Sequence, residues 1–165
     1  MSARDAGLSS QPMDSEPTDA DRGRRMRLRG LHHVTLICHD LRRTTAFYRD
    51  VLGLTLVDES TNDDDPDSRH FYFGDEHGTP GTLVSFLEYP SMPQGVVGAG
   101  STHHLAFTVE SPEEQVAWRD YLRAREVECT DVFDRGRFCS IYLRDPDGHI
   151  VEIATRGTGF EAPAA

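Results

Sequence analysis

A doubled histidine opens an apolar run twice in this chain, as LHHVTLI at residues 31–37 and as THHLAFTV at 102–109, with the histidines 71 positions apart. A second pair of landmarks keeps nearly the same spacing: Gly81 in GTLVSFLEY and Gly148 in GHIVEIAT, 67 positions apart. An internal repeat of roughly 60 residues constrains the fold strongly, because one such unit is too small to bury a sheet alone and two must share a core.

Within the first copy, residues 31–37 read as a strand, and Asp40 is placed to cap a helix over LRRTTAFYRDVL that Gly53 ends. LTLVDE and HFYFG follow as strands. DEHGTPG reads as a turn and TLVSFLEY as the closing strand. The second copy repeats the order. THHLAFTV is a strand, Ser111-Pro112-Glu113-Glu114 is a capping box, and EEQVAWRDYLRA continues the helix. VECTDVF, FCSIYLR and HIVEIAT supply three strands, with DPDG as the last turn. The different offsets are assigned to a longer acidic loop, STNDDDPDSR, in the first copy. The expected fold is α+β: two paired βαβββ modules forming an incomplete, cleft-enclosing mixed β-barrel. The modules are placed at 28–90 and 102–156, joined by a Gly/Pro linker at 91–101. A disordered polar tail is expected over 1–27, and a C-terminal tail over 157–165.

Charge and cysteine usage narrow the function. The net charge is −11, and every basic residue is Arg, so a phosphate backbone is repelled and nucleic acid is not expected as a partner. The Arg cluster at 22, 24, 25 and 27 reads as a solvated arm. No apolar run approaches the roughly 20 residues of a membrane span, and no signal-peptide pattern is seen. Three cysteines without CxxC spacing argue against a disulfide framework or zinc knuckle and fit a reducing cytoplasm.

Strand alternation selects the candidate site. In the first strand His33, Thr35 and Ile37 share a face, and Val34 and Leu36 pack on the helix side. The same alternation puts His104 with Ala106 and Thr108, and puts Glu152 on the inward face between the packing residues Val151 and Ile153. A carboxylate in so apolar a strand requires a partner. Matching Gly81 to Gly148 makes Ser85 the counterpart of Glu152. The four repeat-equivalent inward positions therefore hold His33, Ser85, His104 and Glu152. Two imidazoles and one carboxylate suit a divalent first-row metal in the 2-His-1-carboxylate arrangement of non-haem Fe(II) oxygenases. Tyr142 faces the same cavity, where its phenol either hydrogen-bonds a bound oxygen or simply forms the wall. Arg135 either attracts an anionic substrate or lies on the surface, and Tyr72 and His70, alternating with Phe71 and Phe73, are further wall candidates. His32 and His103 point away from the cavity by alternation.

With LHHVTLICHDLRRTTAFYRDVLGL and DPDGHIVEIAT in view, the sequence resembles the vicinal oxygen chelate superfamily of glyoxalase I, bleomycin-resistance proteins and extradiol dioxygenases, over about residues 30 to 156. HFYFGDEHGTPGTLVSFLEYP and the segment from HHLAFTVESPEEQ to DPDGHIVEIAT resemble the hydroquinone-type ring-cleaving dioxygenases, whose chains carry four modules where this one has two. That resemblance implies metal ligation by His33, His104 and Glu152, with Fe(II) expected first and Mn(II) or another divalent ion as alternatives. It implies supporting, catalytic or substrate-binding roles for Thr35, His103, Arg135 and Tyr142. The expected reaction uses O2 to cleave a small hydroquinone- or catechol-like ring in a homodimeric protein. The alternatives are a glyoxalase- or epimerase-like lyase or isomerase, which would usually place a second glutamate at the position of Ser85, and a resistance protein that binds an aromatic antibiotic.

Overall fold

The computed structural model describes residues 27–160. The expected tail at 1–27 therefore lies almost wholly outside the described residues, as do positions 161–165. Residues 27–30 carry no helix or strand.

The first module begins with β1 (His33–Cys38) and turns at Asp40, whose carboxylate accepts the backbone N–H of Arg42 at 2.8 Å to start α1 (Leu41–Thr45). The helix does not remain regular. It widens into a π-helical stretch over Ala46–Val51, where Leu52 N–H reaches back to Phe47 O at 2.9 Å and Leu54 N–H to Tyr48 O at 2.9 Å. Phe47 and Tyr48, consecutive in this wider stretch, are both buried. Strands β2 (Thr55–Asn62), β3 (Asp65–Gly74) and β4 (Leu83–Glu88) complete the module. Their order is β1-β4-β3-β2, with β1 parallel to β4 and the other pairs antiparallel.

The second module repeats this plan as β5 (Leu105–Val109), α2 (Pro112–Ala124), β6 (Phe133–Asp134), β7 (Cys139–Arg144) and β8 (Ile150–Thr155), in the order β5-β8-β7-β6. Ser111 caps α2 by accepting Glu114 N–H at 3.2 Å, and Glu114 accepts the backbone N–H of Glu110 at 2.8 Å. Gly81 and Gly148, the repeat landmarks, both take left-handed backbone angles just ahead of β4 and β8 (φ +99° and +87°), a conformation open to glycine without the usual Cβ penalty. The α+β architecture of two βαβββ units is thus present. The two sheets remain separate four-stranded sheets and do not close into a barrel.

Two local expectations are corrected. STNDDDPDSR is not a loop, since β2 and β3 run into it and only Asp63-Asp64 turn the chain. Pro66, which lacks an N–H, is tolerated because the pairing jumps from Asn62–Asp65 to Thr61–Arg69 and leaves residues 66–68 as an unpaired bulge. VECTDVF is a regular strand only at its last residue, Phe133, preceded by an isolated bridge from Cys129 to Leu143. There the Thr130 hydroxyl accepts Tyr142 N–H at 3.0 Å in place of a backbone carbonyl, while Thr130 N–H still donates to Tyr142 O at 2.9 Å.

The helical sides of both sheets face one continuous apolar cluster. Leu36, Phe73, Val84 and Phe86 meet Leu41, Phe47 and Tyr48 from the first module; Val109, Ile141, Val151 and Ile153 join with Leu122 from the second. Polar ties cross the module junction: Tyr48 OH donates to Asp145 Oδ2 at 3.1 Å, and His39 Nδ1 lies 2.6 Å from Asp147 Oδ1. With the helical faces buried inward, His33, Thr35 and Ile37 on β1, and His104, Ala106 and Thr108 on or beside β5, are exposed.

Candidate functional site

The strand register sets the two modules in correspondence. Ser85 sits between Thr35 on β1 and Tyr72 on β3, while Glu152 sits between Ala106 on β5 and Tyr142 on β7. Each occupies the same place in its sheet, two positions from the histidine of its outer strand.

In the second module the Glu152 carboxylate is 3% exposed and fully partnered. His104 Nε2 lies 2.8 Å from Oε2. Tyr142 OH donates to Oε1 at 3.1 Å, and Ser140 Oγ donates to the same oxygen in a close contact. Arg135 Nη2 donates in turn to Tyr142 Oη at 3.2 Å, with the guanidinium carbon 5.2 Å from the Phe133 ring centre and 5.6 Å from that of Tyr142. His103 does not reach into this network by its own face; its Nδ1 lies 2.8 Å from His104 Nδ1, the rings nearly perpendicular. A cleft of about 870 Å³ opens beside these groups, walled by His103, His104, Tyr142, Arg135, Arg144 and Glu128 with Thr130 and Ile150.

In the first module His33 Nδ1 lies 3.0 Å from His32 Nδ1, the same relation in the other copy. The Tyr72 ring approaches His33 edge-on at 5.9 Å and packs against His70 at 4.4 Å. His70 Nε2 is 3.0 Å from the Ser85 hydroxyl, which donates to Thr35 Oγ1 at 2.9 Å. Burial, and then the nearby His33 charge, hold the His70 imidazole below its ordinary pKa. Glu88, the one carboxylate of β4, is spent elsewhere: it binds Arg69 at 2.6 and 2.8 Å and caps α1 by accepting Leu41 N–H.

The structure therefore gathers the ten candidate residues into two groups. His103, His104, Arg135, Tyr142 and Glu152 stand together, and His33, Thr35, His70, Tyr72 and Ser85 stand together. Among the described residues no three His, Cys, Asp or Glu side chains converge closely enough to hold one metal ion, and the contacts of His33 fall in a different group from those of His104 and Glu152. The physical reason is the packing. Both helical faces are buried against each other, and β1 and β5 are the outermost strands of separate sheets. Glu128, Thr130, Phe133 and Arg144 were not singled out in the sequence. Arg144 lies within reach of alternation two residues beyond Tyr142; Glu128 and Thr130 lie where the expected strand is irregular, and Phe133 on the two-residue β6.

The chain matches the Glyoxalase/Bleomycin resistance protein/Dioxygenase superfamily over residues 30–153 and belongs to it. MhqO of Bacillus subtilis (strain 168), named as a ring-cleaving dioxygenase, is 38% identical over 133 residues, covering 79% of this chain and 41% of that protein. MhqE of the same organism carries the same description and is 44% identical over 86 residues, 52% of this chain and 28% of that protein. The chain thus spans less than half the length of these relatives. A crystal structure described as a dioxygenase from Bacillus subtilis superimposes with a TM-score of 0.72 at 35% identity, covering 79% of this chain and 41% of that one. FosX of Listeria monocytogenes, a fosfomycin resistance protein solved with Mn(II) and 1S,2S-dihydroxypropylphosphonic acid, superimposes with a TM-score of 0.58 at 26% identity, covering 81% of this chain and 95% of that one. No helix among the described residues is long and apolar enough to cross a membrane.

Proposed function

We propose that this protein is a metal-dependent ring-cleaving dioxygenase, with His33, His104 and Glu152 as its ligands. The observation that carries the reading is the buried Glu152 carboxylate, turned toward His104 Nε2 at 2.8 Å and steadied from behind by Ser140 and Tyr142. Such convergent N and O donors suit a divalent first-row ion, Fe(II) before Mn(II). Once bound, that ion would supply Lewis acidity and a common platform for the ring oxygens and O2. The names of MhqE and MhqO support ring cleavage as the reaction.

The chain's own groups have separable tasks. Tyr142, hydrogen-bonded between Arg135 and Glu152, holds a proton at Oη where a ring oxygen can receive or lose it. Arg135 steadies negative charge on that phenol or on the substrate. His70, Tyr72, Thr35 and Ser85 form the opposing wall, and His103 orients His104. Because His33 is held apart from His104 and Glu152, the site is completed by a second copy: His33 of one protomer meets His104 and Glu152 of the other in a homodimer. The two modules, 28–90 and 102–156, are the units that pair across it.

The test is O2 uptake by metal-loaded protein over a panel of substituted hydroquinones and catechols. Metal-dependent O2 consumption with a ring-opened chromophore is expected. A second reading, transfer of a thiol, is favoured by length: FosB of Staphylococcus haemolyticus, named a metallothiol transferase, is 29% identical over 130 residues, 84% of that protein. Thiol consumption without O2 uptake would replace the first reading with the second.

A further inference from the structure

We infer that the cleft beside His104 selects ring substrates bearing an acidic substituent, and that Arg135 receives that substituent. The inference takes its aromatic ligand from the dioxygenase reading, but it concerns binding and not ring cleavage.

The charge of the cleft runs against that of the protein. The chain carries 28 Asp and Glu against 17 basic residues, all Arg. Yet the cleft walls present Arg135 and Arg144 against a single free carboxylate, Glu128. Glu152 is committed to His104, Tyr142 and Ser140. Arg144 is partly spent, donating Nη1–H to Gly148 O at 2.7 Å. Arg135 is not. Its one side-chain hydrogen bond among the described residues goes to Tyr142 Oη, and no carboxylate of the described residues stands within ion-pair distance. Arg49, Arg69, Arg119, Arg123 and Arg156, by contrast, all have acidic partners.

What holds Arg135 in place is aromatic. Its guanidinium rests near the faces of Phe133 and Tyr142, an arrangement that positions a cation while leaving N–H groups free for a planar anion. Phe133 is 45% exposed and its ring centre lies 6.2 Å from that of Tyr142. Apolar ring surface and an uncommitted guanidinium thus lie side by side, within one hydrogen bond of the Tyr142 phenol. A carboxylate two or three bonds from a dihydroxylated ring matches that juxtaposition; a neutral, alkyl-substituted ring leaves the guanidinium unused.

Equilibrium binding to metal-loaded protein without O2 tests this, with (2,5-dihydroxyphenyl)acetate and its amide as the matched pair. The wild type should bind the acid about tenfold more tightly than the amide. Arg135→Gln should remove most of that preference, Arg135→Lys should keep part of it, and Glu128→Gln should enlarge it. Equal affinity for acid and amide in the wild type overturns the inference. A preference that survives Arg135→Gln overturns the assignment to Arg135. O2 uptake on the same two compounds separates the two readings. Selection of the acid without O2 consumption leaves this inference standing and removes the dioxygenase reading. Ring cleavage of both compounds with equal affinity does the reverse.

Discussion

His103 Nδ1 lies 2.8 Å from His104 Nδ1, with ring planes at 87°, and His32 stands to His33 at 3.0 Å and 86°. Each doubled histidine is therefore a ligand candidate and its clamp. The first ring engages Nδ1 of the second, which turns Nε2 away from the pair, at His104 toward Glu152 Oε2 at 2.8 Å, and a fixed tautomer raises ligand quality. His103→Ala and His32→Ala should each weaken divalent-metal binding by about 10- to 100-fold, with His103→Gln restoring part of the loss. Competition with a chromophoric chelator measures it, and unchanged affinity in both alanine variants would remove the clamp role.

The division of the proposed ligands between two outward faces makes a sharper prediction. His33→Ala and His104→Ala should each abolish metal-dependent activity alone. Mixed after dissociation and reassembly, they should recover about a quarter of wild-type activity, because a mixed dimer regenerates one intact site from His33 of one protomer and His104 with Glu152 of the other. No recovery, with mixed dimers demonstrated by mass, would place all three ligands in one chain.

Much of the pairing between modules was legible in the sequence. The match of Gly81 to Gly148 put Ser85 opposite Glu152 in the repeat, and the strand register gives them that equivalence. Period-two alternation also separated Val34 and Leu36 from His33 and Thr35, since the faces of a strand are a local property. Alternation cannot say which faces of two modules meet, and the separation of His33 from His104 was not readable. Nor was the π-helical stretch at Ala46–Val51, which leaves no composition signal. The Thr130 hydroxyl that interrupts the expected 127–133 strand acts through a tertiary contact with Tyr142, again outside any local pattern.

His39 places a titratable ring at the module junction. Its Nδ1 faces Asp147 Oδ1 at 2.6 Å and its Nε2 faces Met92 O at 2.8 Å, so both ring nitrogens meet acceptors and the imidazolium satisfies both. The Asp147 contact first, and then the Met92 carbonyl, hold the His39 pKa above its ordinary value. A raised folded-state pKa contributes stability that is complete below the unfolded value and is lost as pH rises through the folded one. The melting temperature of wild type should therefore exceed that of His39→Gln most at about pH 6, and the gap should narrow toward about pH 8.5. A gap independent of pH would mean that His39 acts there as a neutral ring.

Ser85 offers the most direct test of the symmetry between the modules. Where Glu152 finds Ser140 and Tyr142 on β7, a carboxylate at position 85 would find His70 and Tyr72 on β3, at the same register and spacing. His70 Nε2 already stands 3.0 Å from the Ser85 hydroxyl and Thr35 Oγ1 2.9 Å from it, so donors for a carboxylate are in place. Ser85→Glu should therefore fold, and the new charge should draw the His70 pKa upward from its depressed value, a shift visible in its ring-proton chemical shifts. If the two half-sites meet across a dimer, the added carboxylate becomes a fourth strong donor. Metal affinity should then hold or rise, while O2-dependent activity falls by orders of magnitude because a position that substrate or O2 needs is filled. Ser85→Ala should leave metal binding nearly unchanged and cost about 1 kcal/mol of stability through the lost hydrogen bonds. Near-native oxygenase activity in Ser85→Glu, with His70 titrating as before, would show that position 85 faces neither His70's imidazole nor the metal in the working protein.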